Sequence, residues 1–98
     1  MRRLMLTAAA GRQLHQARTW WLENRDKAPE AFDEELLVLF DILETGSSTL
    51  GQAVGQRPGV RRLYLKRIRY FVYFEHVSDT EVHILAIWHG RRDELPPR

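Results

Sequence analysis

At 98 residues and 11.6 kDa, with 44% hydrophobic and 10% aromatic side chains, the chain has material for one core and is expected to form a single domain over residues 1–98. It has no cysteine, which excludes a disulfide framework, a thiolate metal site and a cysteine nucleophile, and suits a reducing cytosol. Net charge is only +2, but it is unevenly placed: residues 1–56 carry six Lys/Arg against eight Asp/Glu (−2), residues 57–98 nine against five (+4). The C-terminal half therefore suits an acidic partner, unless its charge is simply a solvated sheet face.

Met1 to Ala10 places charge before apolar residues as a signal peptide does, but Gly11-Arg12-Gln13 interrupts the run before a hydrophobic region develops. A short strand leading into a helix fits better. No segment approaches the roughly 18 apolar residues of a membrane span, so a cytoplasmic protein without membrane association is expected.

Thr7 is a suitable N-cap for a helix to about Arg25. Along it Ala10, Leu14, Ala17 and Trp21 recur at helical spacing and mark the buried stripe, with Trp20 off its centre. Asn24 to Pro29 breaks the helix, and Pro29 is expected to start a second one. Glu30, Asp33, Glu34 and Glu35 then favour its N-terminal dipole, which is reason enough for that acidic run. Phe32, Leu36, Leu39, Phe40 and Leu43 continue it to a stop at Gly46, while Leu37, Val38 and Ile42 make it apolar on a further face. Such a helix must be covered by the sheet and by something else.

Ser47 to Gly59 reads as a connection with a turn near Leu50. From Val60 the period becomes two: Leu63 and Leu65 alternate with Arg62, Tyr64 and Lys66, and Tyr70, Val72 and Phe74 with Phe71 and Tyr73. After a turn at Ser78-Asp79-Thr80, Val82, Ile84, Ala86 and Trp88 alternate with His83, Leu85, Ile87 and His89. The order predicts an α+β fold, with an N-terminal strand and a two-helix antiparallel hairpin packed on a small antiparallel sheet.

Two clusters carry chemistry. One is the strand end His89-Gly90-Arg91-Arg92, where guanidinium groups can hold phosphate or carboxylate and Gly90 lets the chain turn sharply. The plainer alternative is that Arg91 pairs with Asp93 or the acidic helix start, and for His89 a structural role is the stronger reading. The other is the basic hairpin of Arg61, Arg62, Lys66, Arg67 and Arg69, able to grip a phosphate backbone or merely to discourage edge pairing. No P-loop, dinucleotide fingerprint, HExxH or nucleophile elbow occurs, and histidines 15, 76, 83 and 89 have no metal-site spacing. No metal and no cofactor are expected.

The hairpin Arg61–Tyr73 followed by Ala86-Ile87-Trp88-His89-Gly90-Arg91-Arg92-Asp93 resembles the closing signature of the ParE branch of the RelE/ParE toxin superfamily. Leu6-Thr7 leading to Ala10 and Leu14 is similar to the superfamily's opening, with Gln13 where an acid is common. The resemblance implies a type II toxin that inhibits DNA gyrase by binding, without catalytic residues, and forms a hetero-oligomer with a cognate antitoxin. Direct sequence-specific nucleic-acid binding by the toxin alone is not expected. Under it, Arg91, Arg92, His89, Lys66, Arg67 and Arg69 become the target-binding candidates, and Trp20, Leu37, Val38 and Ile42 the antitoxin-binding ones. RelE-type nucleases place an arginine within the second long strand and many end in catalytic His or Tyr. Here that run reads Arg69-Tyr70-Phe71-Val72-Tyr73, and the chain closes in Glu94 to Arg98. A RelE-like ribosome-dependent mRNA interferase, and a non-toxic corepressor partner of the antitoxin, remain the alternatives.

Overall fold

Strand β1 (Arg3–Leu6) runs out at Thr7, whose side chain nucleates the first helix. In the computed structural model, which describes residues 1–25, 28–47 and 49–90, Thr7 is extended and its Oγ1 accepts the Ala10 N–H at 3.1 Å. That bond satisfies one of the free donors that open helix α1 (Ala8–Asn24). The same hydroxyl donates to the carbonyl of Leu85 at 3.2 Å, tying the helix start to the last strand. The predicted stripe is the buried one: Ala10, Ala17 and Trp21 are in the core and Leu14 packs against it.

Helix α2 (Ala31–Thr45) starts two residues beyond Pro29, which lies with Glu30 in a turn closed by the Ala31 N–H on the Ala28 carbonyl. It buries Ala31, Phe32, Leu36, Leu39 and Leu43. Across the hairpin, Trp21 Nε1 donates to the Ala28 carbonyl at 2.9 Å, and Arg18 donates to both carboxylate oxygens of Asp33 at 2.9 and 3.0 Å. That guanidinium holds the Asp33 carboxyl below its ordinary range.

Both helices pack on a five-stranded sheet ordered β1-β5-β4-β3-β2, where β2 is Gln52–Ala53, β3 Val60–Leu65, β4 Tyr70–Ser78 and β5 Glu81–His89. The α+β architecture is the expected one, with two additions. The sheet is mixed, because β1 pairs parallel with β5 from Arg3↔Glu81 to Leu6↔Ile84. And β2, two residues long and paired with Arg61 and Arg62, is too short to carry any periodicity in sequence.

One strand departs from its alternation. In the β4–β5 ladder Tyr73 faces Ala86 but Phe74 faces Ile84, so Leu85 is a bulge. The bulge shifts the face by one residue. Val82, Ile84 and then Ile87 join the helix-side core, whereas Ala86 packs with Val54, Val60 and Tyr73 on the opposite face, against the strict alternation expected. By the same shift His89 follows Ile87 onto the helix side, where its ring meets Tyr70 edge-on at 5.1 Å. Beyond Ile84, β1 no longer covers β5, and side chains of the helix region take over: Thr7 on the Leu85 carbonyl, and Gln13 Oε1 accepting the Ile87 N–H at 2.8 Å. The Gln13 amide oxygen accepts that N–H as a carboxylate oxygen could.

The largest fully buried side chains, Phe32, Phe74, Leu43, Ile84, Val72 and Val82, all lie between helices and sheet. Among the described residues no helix is long and apolar enough to cross a membrane.

His76 should make the stability pH-dependent. Its ring meets Phe74 edge-on at 5.8 Å, and its Nε2 is buried without a hydrogen-bond partner. Burial first, then the charges of Arg2 and Arg61, hold its pKa below the ordinary 6.5. The native state therefore binds the proton less well than the unfolded chain. Stability is intact above the unfolded value and falls as pH drops through the folded one. Melting temperature should decline between about pH 7.5 and pH 5.5, and His76→Leu should flatten that slope. An unchanged slope in the variant would remove His76 as its source.

Candidate functional site

The β3–β4 turn, Lys66 to Arg69, is shaped from inside. Leu65 and Ile68 are buried, so the side chains between and after them, Lys66, Arg67 and Arg69, are pushed outward. The Arg69 N–H closes the turn on the Leu65 carbonyl at 2.7 Å, with Arg69 at φ +64°, a conformation rare for a residue with a Cβ. Glu35 of α2 accepts the backbone N–H groups of Arg67 and Ile68, both at 3.2 Å, and Glu34 pairs with the Arg67 guanidinium at 3.2 Å. The acidic start of α2 thus has a second use beyond the helix dipole: it fixes the basic turn. Nothing local in sequence connects residues more than thirty positions apart, so this role was not legible there.

The end of β5 meets the same turn. Tyr70 pairs in register with His89, and the Gly90 N–H donates to the Arg69 carbonyl at 2.9 Å. Gly90 was expected to provide a sharp turn through glycine's conformational freedom. Its backbone does not use the left-handed region; the need is for space, since a Cβ there would stand 2.8 Å from Tyr64 Cε1 and 3.3 Å from the Arg69 oxygen.

The C-terminal end of α1 completes the site. Arg25, at the helix C-cap where the dipole favours a cation, lays its guanidinium over Trp20 at 5.2 Å and Trp21 at 5.9 Å. Trp20, Trp21, Arg25, Arg67, Ile68, Arg69 and His89 line one cleft of about 420 Å³, and among the described residues no acidic side chain lines it. The two sequence clusters are therefore partly one site: His89, Arg67 and Arg69 come together. Lys66 is exposed on the same turn without lining the cleft, and Arg91 and Arg92 lie outside the described residues. Arg25 was missed because its charge looked like an ordinary helix end. Arg61 and Arg62 are occupied elsewhere. Arg61 donates to the carbonyls of Thr49, Leu50 and Gly51 at 2.6–2.8 Å, and Arg62 lies 4.2 Å over the Phe71 ring.

A second surface runs between α2 and β3. Val38, Leu39 and Ile42 face Leu63, Tyr64 and Leu65 across a groove of about 350 Å³, with Glu34, Glu35 and Arg67 at its rim. Leu37 and Val38 are 67% and 61% exposed. Because β2 pairs only with Arg61 and Arg62, the Leu63–Leu65 part of β3 has no strand beyond it among the described residues. Trp20 does not line this groove; it belongs to the basic cleft instead.

Residues 4–94 match the family model for the ParE toxin of the type II toxin–antitoxin system parDE. The chain belongs to the ParE toxin family. It is thus a toxin of the type II toxin–antitoxin class, whose pairing implies an antitoxin partner. In three dimensions it is similar to a chain of the chromosomal ParDE toxin–antitoxin system from P. aeruginosa, with 24% identity, a TM-score of 0.71, and 91% of this chain and 96% of that one covered. It is also similar to the isolated E. coli RelE toxin, at 16% identity and a TM-score of 0.57, with 96% and 89% covered. At those identities the likeness is one of fold. A comparison with curated proteins gave no match.

Proposed function

We propose that this ParE-family toxin inhibits DNA gyrase by binding, holding the cleaved-DNA intermediate, and that a cognate antitoxin neutralises it in the cytoplasm. The observation that carries this reading is the convergence of Arg25, Arg67, Arg69 and His89 from three elements of a ParE-family fold into one cleft that, among the described residues, no acidic side chain lines. Such a site is equipped to hold an anionic target. The mRNA-interferase alternative has less support. Where the RelE resemblance would put an arginine in β4 this chain has tyrosine and phenylalanine, and Phe71 lies under Arg62. The antitoxin contact falls to the α2–β3 groove, where Val38 and Ile42, with Leu37 beside them, offer an apolar seat for an amphipathic helix. Trp20, first grouped with them, is better placed for the target.

Supercoiling inhibition, run beside mRNA cleavage in a translating extract, tests the proposal. Inhibition without cleavage is expected, and codon-specific cuts would overturn it. Replacing Arg91 and Arg92 together with Ala should weaken inhibition more than roughly tenfold, about 1.4 kcal/mol for two charge-assisted contacts. A role in binding alone predicts a melting temperature that barely moves, a change within about 0.5 kcal/mol. A lowered melting temperature with activity tracking folded protein would make the pair structural.

A further inference from the structure

Two adjacent tryptophans end α1, and the fold uses one of them. Trp21 is 7% exposed, packs on Phe32 and hydrogen-bonds to Ala28. Trp20 is 44% exposed and stands at the mouth of the cationic cleft, with the Arg25 guanidinium over its ring. Opposite it are Arg67 and Arg69, the latter held at positive φ by the turn, and His89 at the end of β5. We propose that this cleft is a subsite for single-stranded nucleic acid: the arginines hold a phosphodiester and the indole of Trp20 stacks the adjoining base. Stacking on an aromatic ring beside a cationic track is how proteins hold unpaired strands without reading sequence.

The details favour a nucleic acid over an acidic peptide, which would satisfy the arginines but stack nothing on the exposed part of the Trp20 indole. They favour an unpaired strand over a duplex, because a duplex hides the base faces and a cleft of about 420 Å³ has the size of a small-ligand pocket. Arg67 keeps its pairing with Glu34 on one side, so Arg25 and Arg69 are the principal phosphate ligands. The biological setting rests on the proposed gyrase target, whose cleaved DNA would supply the unpaired strand. The binding itself does not depend on gyrase.

A fluorescein-labelled oligothymidylate, titrated with the purified chain and followed by anisotropy, tests this directly. Saturable binding is expected, weakening roughly three- to sevenfold between about 50 and 200 mM salt, as neutralising one or two phosphates of a single strand predicts. Unlabelled oligothymidylate should compete roughly tenfold better than a duplex of the same length or an oligoglutamate of the same charge. Trp20→Ala, Arg25→Ala and Arg69→Asn should each weaken binding roughly fivefold or more, asparagine being chosen because it tolerates positive φ. Arg12→Ala, on the exposed side of α1, should leave it unchanged, with all variants matched by circular dichroism. No saturable binding, equal competition by oligoglutamate or duplex, or full binding by the folded Trp20 variant would overturn the proposal. Absent oligothymidylate binding with gyrase inhibition intact sinks the subsite alone. Binding intact with no gyrase inhibition sinks the gyrase reading alone.

Discussion

Phe32→Ala should destabilise the protein by about 3–5 kcal/mol, the usual cost of emptying a buried aromatic position. Phe32 is fully buried near the start of α2, between Trp21 at 6.5 Å and Tyr70 at 6.3 Å, the latter edge-on. Tyr70 in turn meets His89 at 5.1 Å. The ring therefore joins the helical hairpin to the strand end that carries the cleft, and its loss removes support on both sides at once. For a chain of this size each kcal/mol moves the melting temperature by roughly 4–8 °C, so a fall of at least about 12 °C is expected. Leu22→Ala, on the 43% exposed side of α1, should stay within about 0.5 kcal/mol. Thermal melts of the two variants decide this. Equal, small shifts would mean that the hairpin docks on the sheet by other contacts.

The second large effect is expected at the antitoxin surface. Val38→Asp combined with Ile42→Asp should weaken antitoxin binding at least about a hundredfold, about 2.8 kcal/mol. A helix seated in the groove would have to bury two carboxylates against Leu63 and Leu65, beside Glu34 and Glu35, which already make the rim acidic. Both residues are exposed in the isolated chain, at 61% and 38%, so the fold itself should tolerate the change. Titration calorimetry with the antitoxin, and gyrase inhibition by the free variant, separate the two surfaces. Unchanged affinity in a folded variant would move the antitoxin off this groove, and lost gyrase inhibition would show that the two surfaces are not independent.

The elements along the chain were legible because each is dictated locally. Thr7 caps α1 through its own hydroxyl, the 3.6-residue stripe of Ala10, Ala17 and Trp21 is the face the helix must bury, and Gly46 ends α2. The run from Val60 onward alternates as a sheet does, and it forms β3, β4 and β5. Sequence also established that α2 carries more apolar surface than one sheet face can cover, and Leu37, Val38 and Ile42 are exposed accordingly.

What only the tertiary structure decided depends on contacts between residues far apart in the chain. Leu85 is apolar like its neighbours, so nothing in the alternation marks it as the residue that drops out of register. The bulge follows from pairing β5 with β4 on one edge and with Thr7 and Gln13 on the other, and it brings His89 to the helix side. The acidic start of α2 read as a helix dipole effect until Glu34 and Glu35 were found holding the turn of Arg67 and Ile68. Trp20 read as an antitoxin contact and Arg25 as a helix end until the fold set both in one cleft with Arg69 and His89. Local sequence determines which faces a helix or strand must hide; only packing decides which distant charges then share a cleft.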